Sequence, residues 1–255
     1  MVGMGKLGAM VALTIESRGH EVKGYDINPA IAGYFKNRNY PFKEEHADEL
    51  LAKTKIELLP LQELVDWADI LFLAPQTPHA PEYEGATRLP DERVDFDYTY
   101  LKECVREVSA CLHSSKTCVI ISTVLPGTLH REILPGLNPC FDLVYEPLFI
   151  AMGTVYHDFL NPEFVLVGVK DERPAQKLEE FYKTIHDKPV FKTDIRTAEG
   201  IKVFYNTFVT TKTVLGNLWG EMSHKLGMNV DDIYRAISMA TDRLISPKYL
   251  KSGMG

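Results

Sequence analysis

The run Gly3-Met4-Gly5-Lys6-Leu7-Gly8, with Asp26 standing 18 positions after its last glycine, decides how this chain is read. Its spacing is G-x-G-x-x-G, the turn that lets a backbone approach a pyrophosphate and seats that anion on a helix N-terminus. Glycine spacing alone is a weak signal; its surroundings strengthen it. An amphipathic stretch follows at once through Leu7, Met10, Val11, Leu13, Thr14 and Ile15, and Gly19 is placed to close the helix. Glu21 to Tyr25 then reads as a short strand with the acid Asp26 at its end, where a ribose hydroxyl pair would be held. The competing reading is a glycine-rich turn before an ordinary helix. Only Met1 and Val2 precede the loop, so the strand expected to feed it is reduced to two residues.

Outward from this loop, strand-like and helix-like segments alternate, the mark of a parallel sheet covered on both faces. Asn28 is placed to cap a helix opened by Pro29. A short helix is expected over Leu61 to Ala68. Asp69 to Ala74 reads as a buried strand ending at the turn Pro75-Gln76-Thr77-Pro78. The polar stretch His79 to Asp97 reads as an exposed excursion, and Tyr98 to Leu112 as a helix. Cys118 to Thr123, Leu143 to Tyr145 and Phe164 to Val169 are further strands. A charged helix over Pro174 to Ile185 and an edge strand over Pro189 to Lys192 follow. From Thr197 the pattern changes to a long helix, Glu199 to Leu226, stopped by Gly227, with a second helix capped by Asn229. The apolar positions of the long helix cover more than one face, so it is expected to bridge two domains or to pack on a second subunit.

The 255 residues, 45% of them apolar, suffice for one large α/β domain and the start of another. A net charge of −7 argues against non-specific nucleic-acid binding, which needs a concentrated basic surface. No apolar run reaches membrane-spanning length, and no charged-then-apolar signal segment opens the chain. Cys104, Cys111, Cys118 and Cys140 form no C-x-x-C pair and have no histidine cluster at zinc spacing. The cysteines point to a reducing compartment, hence a cytoplasmic protein, and no metal site is expected.

Lys202 and Asn206 are four apart and project from one face of the long helix. An ammonium and an amide NH₂ so placed suit stabilisation of negative charge on a carbonyl or alkoxide oxygen. Their apolar neighbours Ile201, Val203, Phe204 and Tyr205 suggest a buried or interfacial position rather than a solvated one. Thr77 and Thr123 each follow a buried strand, at the carboxyl edge where open α/β sheets bind ligands, although either could be an ordinary turn residue.

These residues resemble a known family. Ser122-Thr123-Val124-Leu125-Pro126-Gly127-Thr128 is similar to the S-T-V-P-x-G-T turn of nucleotide-sugar dehydrogenases of the UDP-glucose and GDP-mannose type, and Pro75-Gln76-Thr77-Pro78 to their V-P-T-P turn. Glu199-x-x-Lys202-x-x-x-Asn206, with Lys212, Asn217, Glu221 and Leu226-Gly227 behind it, resembles their central helix. Asp242-Arg243-Leu244-Ile245 through Pro247 to Gly255 resembles the lead-in to their catalytic-cysteine loop. The resemblance implies a Rossmann-type, doubly wound, mostly parallel sheet over residues 1–195. After it would come the long central helix and an incomplete helical dimerisation domain over 196–255. It implies oxidation of a nucleotide sugar's primary alcohol to a carboxylate with two NAD molecules. Gly3, Gly5, Lys6, Leu7, Gly8, Asp26, Thr77 and Thr123 would hold NAD, with Thr123 also beside the reacting centre. Lys202 and Asn206 would stabilise the oxyanion, and subunits would pair through the central helix. Asp26 suits NAD, because a carboxylate repels the 2′-phosphate of NADP.

Three departures qualify the likeness. The first strand is cut, so the chain by itself is expected to bind NAD weakly or not at all. The chain stops at Gly255, before the family's cysteine loop and second α/β domain, so by itself it is expected not to complete the reaction. The family's P-E-F-L-x-E-G segment stands here as Pro147-Leu148-Phe149-Ile150-Ala151-Met152-Gly153, with Leu148 and Met152 replacing both glutamates. Glu146, two residues away, could take over the first glutamate's role as base or water-positioner only if the backbone register shifts. Two alternatives stay open: a β-hydroxyacid dehydrogenase, which uses the K-x-x-x-N lysine as base, and a non-catalytic NAD-binding module.

Overall fold

The structure, a computed structural model, describes residues 1–85 and 88–246. The lead-in segment Pro247 to Gly255 lies outside the described residues. The chain divides into one compact unit, Met1–Val203, and a second that begins at Phe204.

In the first unit the order is α1 (Lys6–Ser17), β1 (Lys23–Gly24), α2 (Ala30–Asn37), α3 (Ala47–Lys53), β2 (Glu57–Leu58), α4 (Leu61–Trp67), β3 (Ile70–Leu73), α5 (Thr99–Cys111) and β4 (Lys116–Ile120). Then come β5 (Phe141–Tyr145), α6 (Val155–Leu160), β6 (Val165–Val169), α7 (Glu172–Lys183) and β7 (Val190–Thr193). Helix α8 (Ile195–Leu226) starts here and continues into the second unit.

Strands β1 and β2 pair in parallel, and β3-β4-β5-β6-β7 form a five-stranded sheet. Val2 joins the two sheets by a parallel bridge to Tyr25 on one side and to Leu73 on the other. The two residues ahead of the glycine loop are thus fully used. Val2 N donates to Phe72 O and Ala74 N to Val2 O, both at 2.8 Å, while Gly3 N reaches Tyr25 O at 2.9 Å. The resulting spatial order, β2-β1-Val2-β3-β4-β5, is that of a dinucleotide-binding sheet, with the glycine loop leaving at the point where strand order reverses.

The strands sort their side chains by the period of two. Phe72, Val119 and Val144 pack on one face with α1 and α7; Leu71, Leu73, Cys118, Ile120 and Tyr145 pack on the other with α4 and α5. Both faces are covered, so the strands read as continuous apolar runs. One strand departs from the expected parallel pattern. β6 runs antiparallel to β5, with Tyr145 opposite Gly168, and β7 runs parallel to β6. The long helix also begins earlier than the expected Glu199, at Ile195. Its first turn sits against β6 at Gly168, where a Cβ would lie 2.6 Å from the Ala198 methyl, so glycine is needed for the approach.

In the second unit, α8 ends at Leu226, with Gly227 at φ +66°, and α9 spans Val230–Ser238. Asn229 caps α9 by accepting from the Asp231 amide at 3.0 Å. Tyr234 of α9 donates to the Gly216 carbonyl of α8 at 2.7 Å.

Candidate cofactor and catalytic site

The three motif glycines have three distinct environments. Gly3 holds φ +88°, and a Cβ there would meet the Ala74 carbonyl oxygen at 2.9 Å. Gly8 lies so close to the loop that a Cβ would stand 1.9 Å from the Gly3 carbonyl oxygen. Gly5, the N-cap of α1, has nothing among the described residues within 4 Å of its Cβ position. A tight turn, close helix–strand packing and an open approach to the helix N-terminus are what pyrophosphate binding asks of these positions. The residues present therefore fit a dinucleotide.

Asp26 closes this half of the site. Its carboxylate accepts from Met4 N at 2.6 Å and from Asn28 N at 2.8 Å, which fixes the acid beside the glycine loop with further lone pairs to offer. Lys6 and Leu7 open α1, where Tyr40 secures the turn by donating to the Lys6 carbonyl at 2.7 Å.

The structure brings Thr77 and Thr123 together. The Thr77 hydroxyl donates to the Thr123 carbonyl at 2.8 Å, and Ser122 Oγ donates to the Pro75 carbonyl at 2.5 Å. The turns after β3 and β4 are thereby tied side by side at the carboxyl edge of the sheet. Two groups outside the motif hold the second turn. Glu199 of α8, fully buried, accepts from Gly127 N at 2.5 Å and Leu129 N at 2.7 Å; its pKa is raised by burial. Tyr98 Oη accepts from Leu125 N at 3.2 Å and from Thr128 Oγ1 at 3.2 Å.

Lys202 lies three residues beyond Glu199, on the same side of α8. It is 6% exposed, donates to the Leu148 carbonyl at 2.8 Å, and sits 4.9 Å from the centre of the Phe149 ring. Burial lowers its pKa to about 8. The ring face and the carbonyl stabilise the ammonium, and desolvation opposes it. Glu199 and Lys202 together pin α8 to the turns after β4 and β5. Asn206, one turn further on, belongs to the second unit and is exposed; its carbonyl accepts from Thr210 Oγ1 at 3.0 Å. Of the pair expected at a buried or interfacial position, the lysine is buried and the asparagine is exposed in the single chain.

The Leu148 position carries no replacement acid. Glu146 keeps the strand register, its amide donating to Ile120 O at 2.9 Å, and its carboxyl turns into the core, where it accepts from the Tyr182 hydroxyl. Burial raises its pKa to about 8, and Oε2 has no hydrogen-bond partner among the described residues. Glu146, Leu148, Phe149 and Tyr182 line a cavity of about 20 Å³.

Fold and site together define a dinucleotide-binding protein with a buried lysine at the ligand edge of its sheet. The family model "UDP-glucose/GDP-mannose dehydrogenase family, NAD binding domain" matches residues 1–186, and the family's central-domain model matches 196–255. The chain belongs to the UDP-glucose/GDP-mannose dehydrogenase family, and its cofactor is NAD. It is 26% identical over 268 residues to GDP-mannose 6-dehydrogenase of Pseudomonas syringae pv. syringae, covering 98% of this chain and 58% of that one. With UDP-glucose 6-dehydrogenase of Rhizobium meliloti (strain 1021) it shares 29% over 268 residues, covering 100% and 59%. The fold superposes on a GDP-mannose dehydrogenase ternary complex from Pseudomonas aeruginosa with TM-score 0.89 at 24% identity, covering 100% of this chain and 59% of that one. The chain thus spans about 58% of the length of the first of these relatives.

Proposed function

We propose that the whole protein is an NAD-dependent nucleotide-sugar 6-dehydrogenase, oxidising the primary alcohol of a UDP- or GDP-sugar to the carboxylate. Bound NAD supplies the hydride acceptor. Gly3, Gly5 and Gly8 let the loop and the α1 N-terminus take the pyrophosphate, and Asp26 takes the adenosine ribose. Thr77 and Thr123 shape the floor beside the nicotinamide. Lys202 donates to the sugar oxygen as it gains negative charge, with Asn206 as the second donor. Four unpaired cysteines among the described residues and the absence there of any helix long and apolar enough to cross a membrane support a cytoplasmic setting. The family resemblance and the apolar surface of α8 support a homodimer.

The observation that carries this reading is the buried Lys202, held by the Leu148 carbonyl at the carboxyl edge of a cofactor-binding sheet. The test is Lys202→Ala in the whole protein, assayed with NAD and UDP-glucose or GDP-mannose. Turnover should fall by about 10²–10³, the contribution of one positioned oxyanion donor. Unchanged turnover removes the lysine from the mechanism and favours a non-catalytic module.

The lowered lysine pKa gives the β-hydroxyacid alternative a specific hold, because a neutral amine can act as a base. A pH profile separates the two. An ammonium donor loses activity as pH rises through about 8, whereas an amine base gains it over the same range.

A further inference from the structure

The segment between α2 and α3 carries a carboxylate with no task in the reading above. The Glu44 side chain has no exposed surface and engages two partners. Oε2 accepts from the Gly153 amide at 2.7 Å, and the neighbouring Glu45 amide returns a bond to the Gly153 carbonyl at 3.1 Å. Among the described residues Oε1 accepts no hydrogen bond, yet it lies 3.6 Å from Nζ of Lys6, the first residue of α1. A charge-assisted bond would be about 2.7–2.9 Å long, so the ammonium is near without being locked. The Lys6 side chain is 40% exposed and has room to move.

Resting on the NAD reading, we propose that Glu44 is a positioning residue with two linked effects. It competes with the dinucleotide pyrophosphate for the Lys6 ammonium, and through Gly153 it couples the glycine loop to the turn after β5. Lys6 stands at the helix end that receives the anion, so an arriving pyrophosphate offers its ammonium a second negative partner. As the ammonium shifts, the buried carboxylate keeps only the Gly153 amide, and an uncompensated buried charge is costly. The carboxylate must tighten on that amide or move with its turn. That turn continues directly from Leu148 and Phe149, which Lys202 touches. Cofactor arrival at one loop thereby adjusts the seat of the lysine at another.

The experiment titrates NAD to millimolar concentration into the chain and its Glu44→Gln and Lys6→Met variants, by calorimetry and by amide hydrogen exchange at Gly153 and Thr154. Glutamine keeps an oxygen for the Gly153 amide and removes the charge. E44Q should bind NAD about fivefold more tightly, because a like charge is gone and Lys6 is released. NAD should change exchange at Gly153 and Thr154 in the unaltered chain and leave it unchanged in E44Q and K6M. Equal affinity together with an equal exchange response would make Glu44 a support of the fold alone and overturn the proposal. Weaker binding by E44Q would overturn the competition. Absence of NAD binding by the unaltered chain would overturn the proposal. Should E44Q fail to fold, K6M decides: a preserved exchange response there refutes the coupling.

Discussion

Glu146 is an acid that its surroundings keep neutral. Burial raises its pKa from 4.5 to about 8, and the Tyr182 hydroxyl offsets only part of that. An acid whose folded pKa lies above its unfolded one contributes stability below the unfolded value and loses it as pH rises through the folded value. The loss should therefore accumulate between pH 4.5 and about 8. Denaturant unfolding at several pH values should show the unaltered chain losing on the order of 5 kcal/mol over that interval relative to Glu146→Gln, which has nothing to titrate there. Parallel pH curves for the two proteins would mean that the carboxyl is ionised and solvated. At this scale the sequence discloses roles that depend on position along an element and hides those that depend on contact across the fold. Lys202 is legible because the K-x-x-x-N spacing marks a helix face. Glu44 sits in the polar run Lys43-Glu44-Glu45-His46, which reads as solvated surface, and nothing in that run announces a buried partner 109 positions away at Gly153. Glu199 is equally silent about the two turn amides that it accepts.

The glycine loop and its helix act as an element, and the motif glycines should respond differently to the same added methyl group. Gly8→Ala pushes a Cβ into a backbone carbonyl that has no freedom to yield, so stability should fall by about 2–4 kcal/mol in a denaturant titration. Gly5→Ala meets open space and should alter stability by less than about 1 kcal/mol, yet it obstructs the cofactor and should weaken NAD binding at least about tenfold. Similar losses of stability in both variants would break the assignment of separate tasks. The strands that feed this edge were readable from apolar runs, as β3, β4 and β5 show. Less readable were β2, only two residues long, and the short helices α3 and α6, whose few apolar positions give no sustained period. The antiparallel course of β6 is set by its pairing with a strand some 20 positions earlier, a long-range choice that local pattern does not encode.

In the whole molecule, the second unit presents apolar side chains to solvent: Val214, Leu215, Leu218 and Met222 along α8 are each more than 40% exposed. A contiguous apolar surface on a soluble helix marks an association site. Under the homodimer proposal, Leu218→Glu should raise the dimer dissociation constant at least about tenfold in sedimentation equilibrium while circular dichroism stays the same. A monomer at all concentrations in the unaltered whole protein would remove the dimer from the account.

The register of β6 against β5 governs where α8 begins. Gly168, next to last in β6, stands opposite Tyr145 at the carboxyl end of β5, β7 runs parallel to β6, and the first turn of α8 packs on Gly168. Four residues beyond Ala198, a rise of about 6 Å, bring Lys202 to the Leu148 carbonyl at the rim. The glycine that admits α8 beside the last residue of β5 thereby sets its cation within reach of the turn that follows that strand.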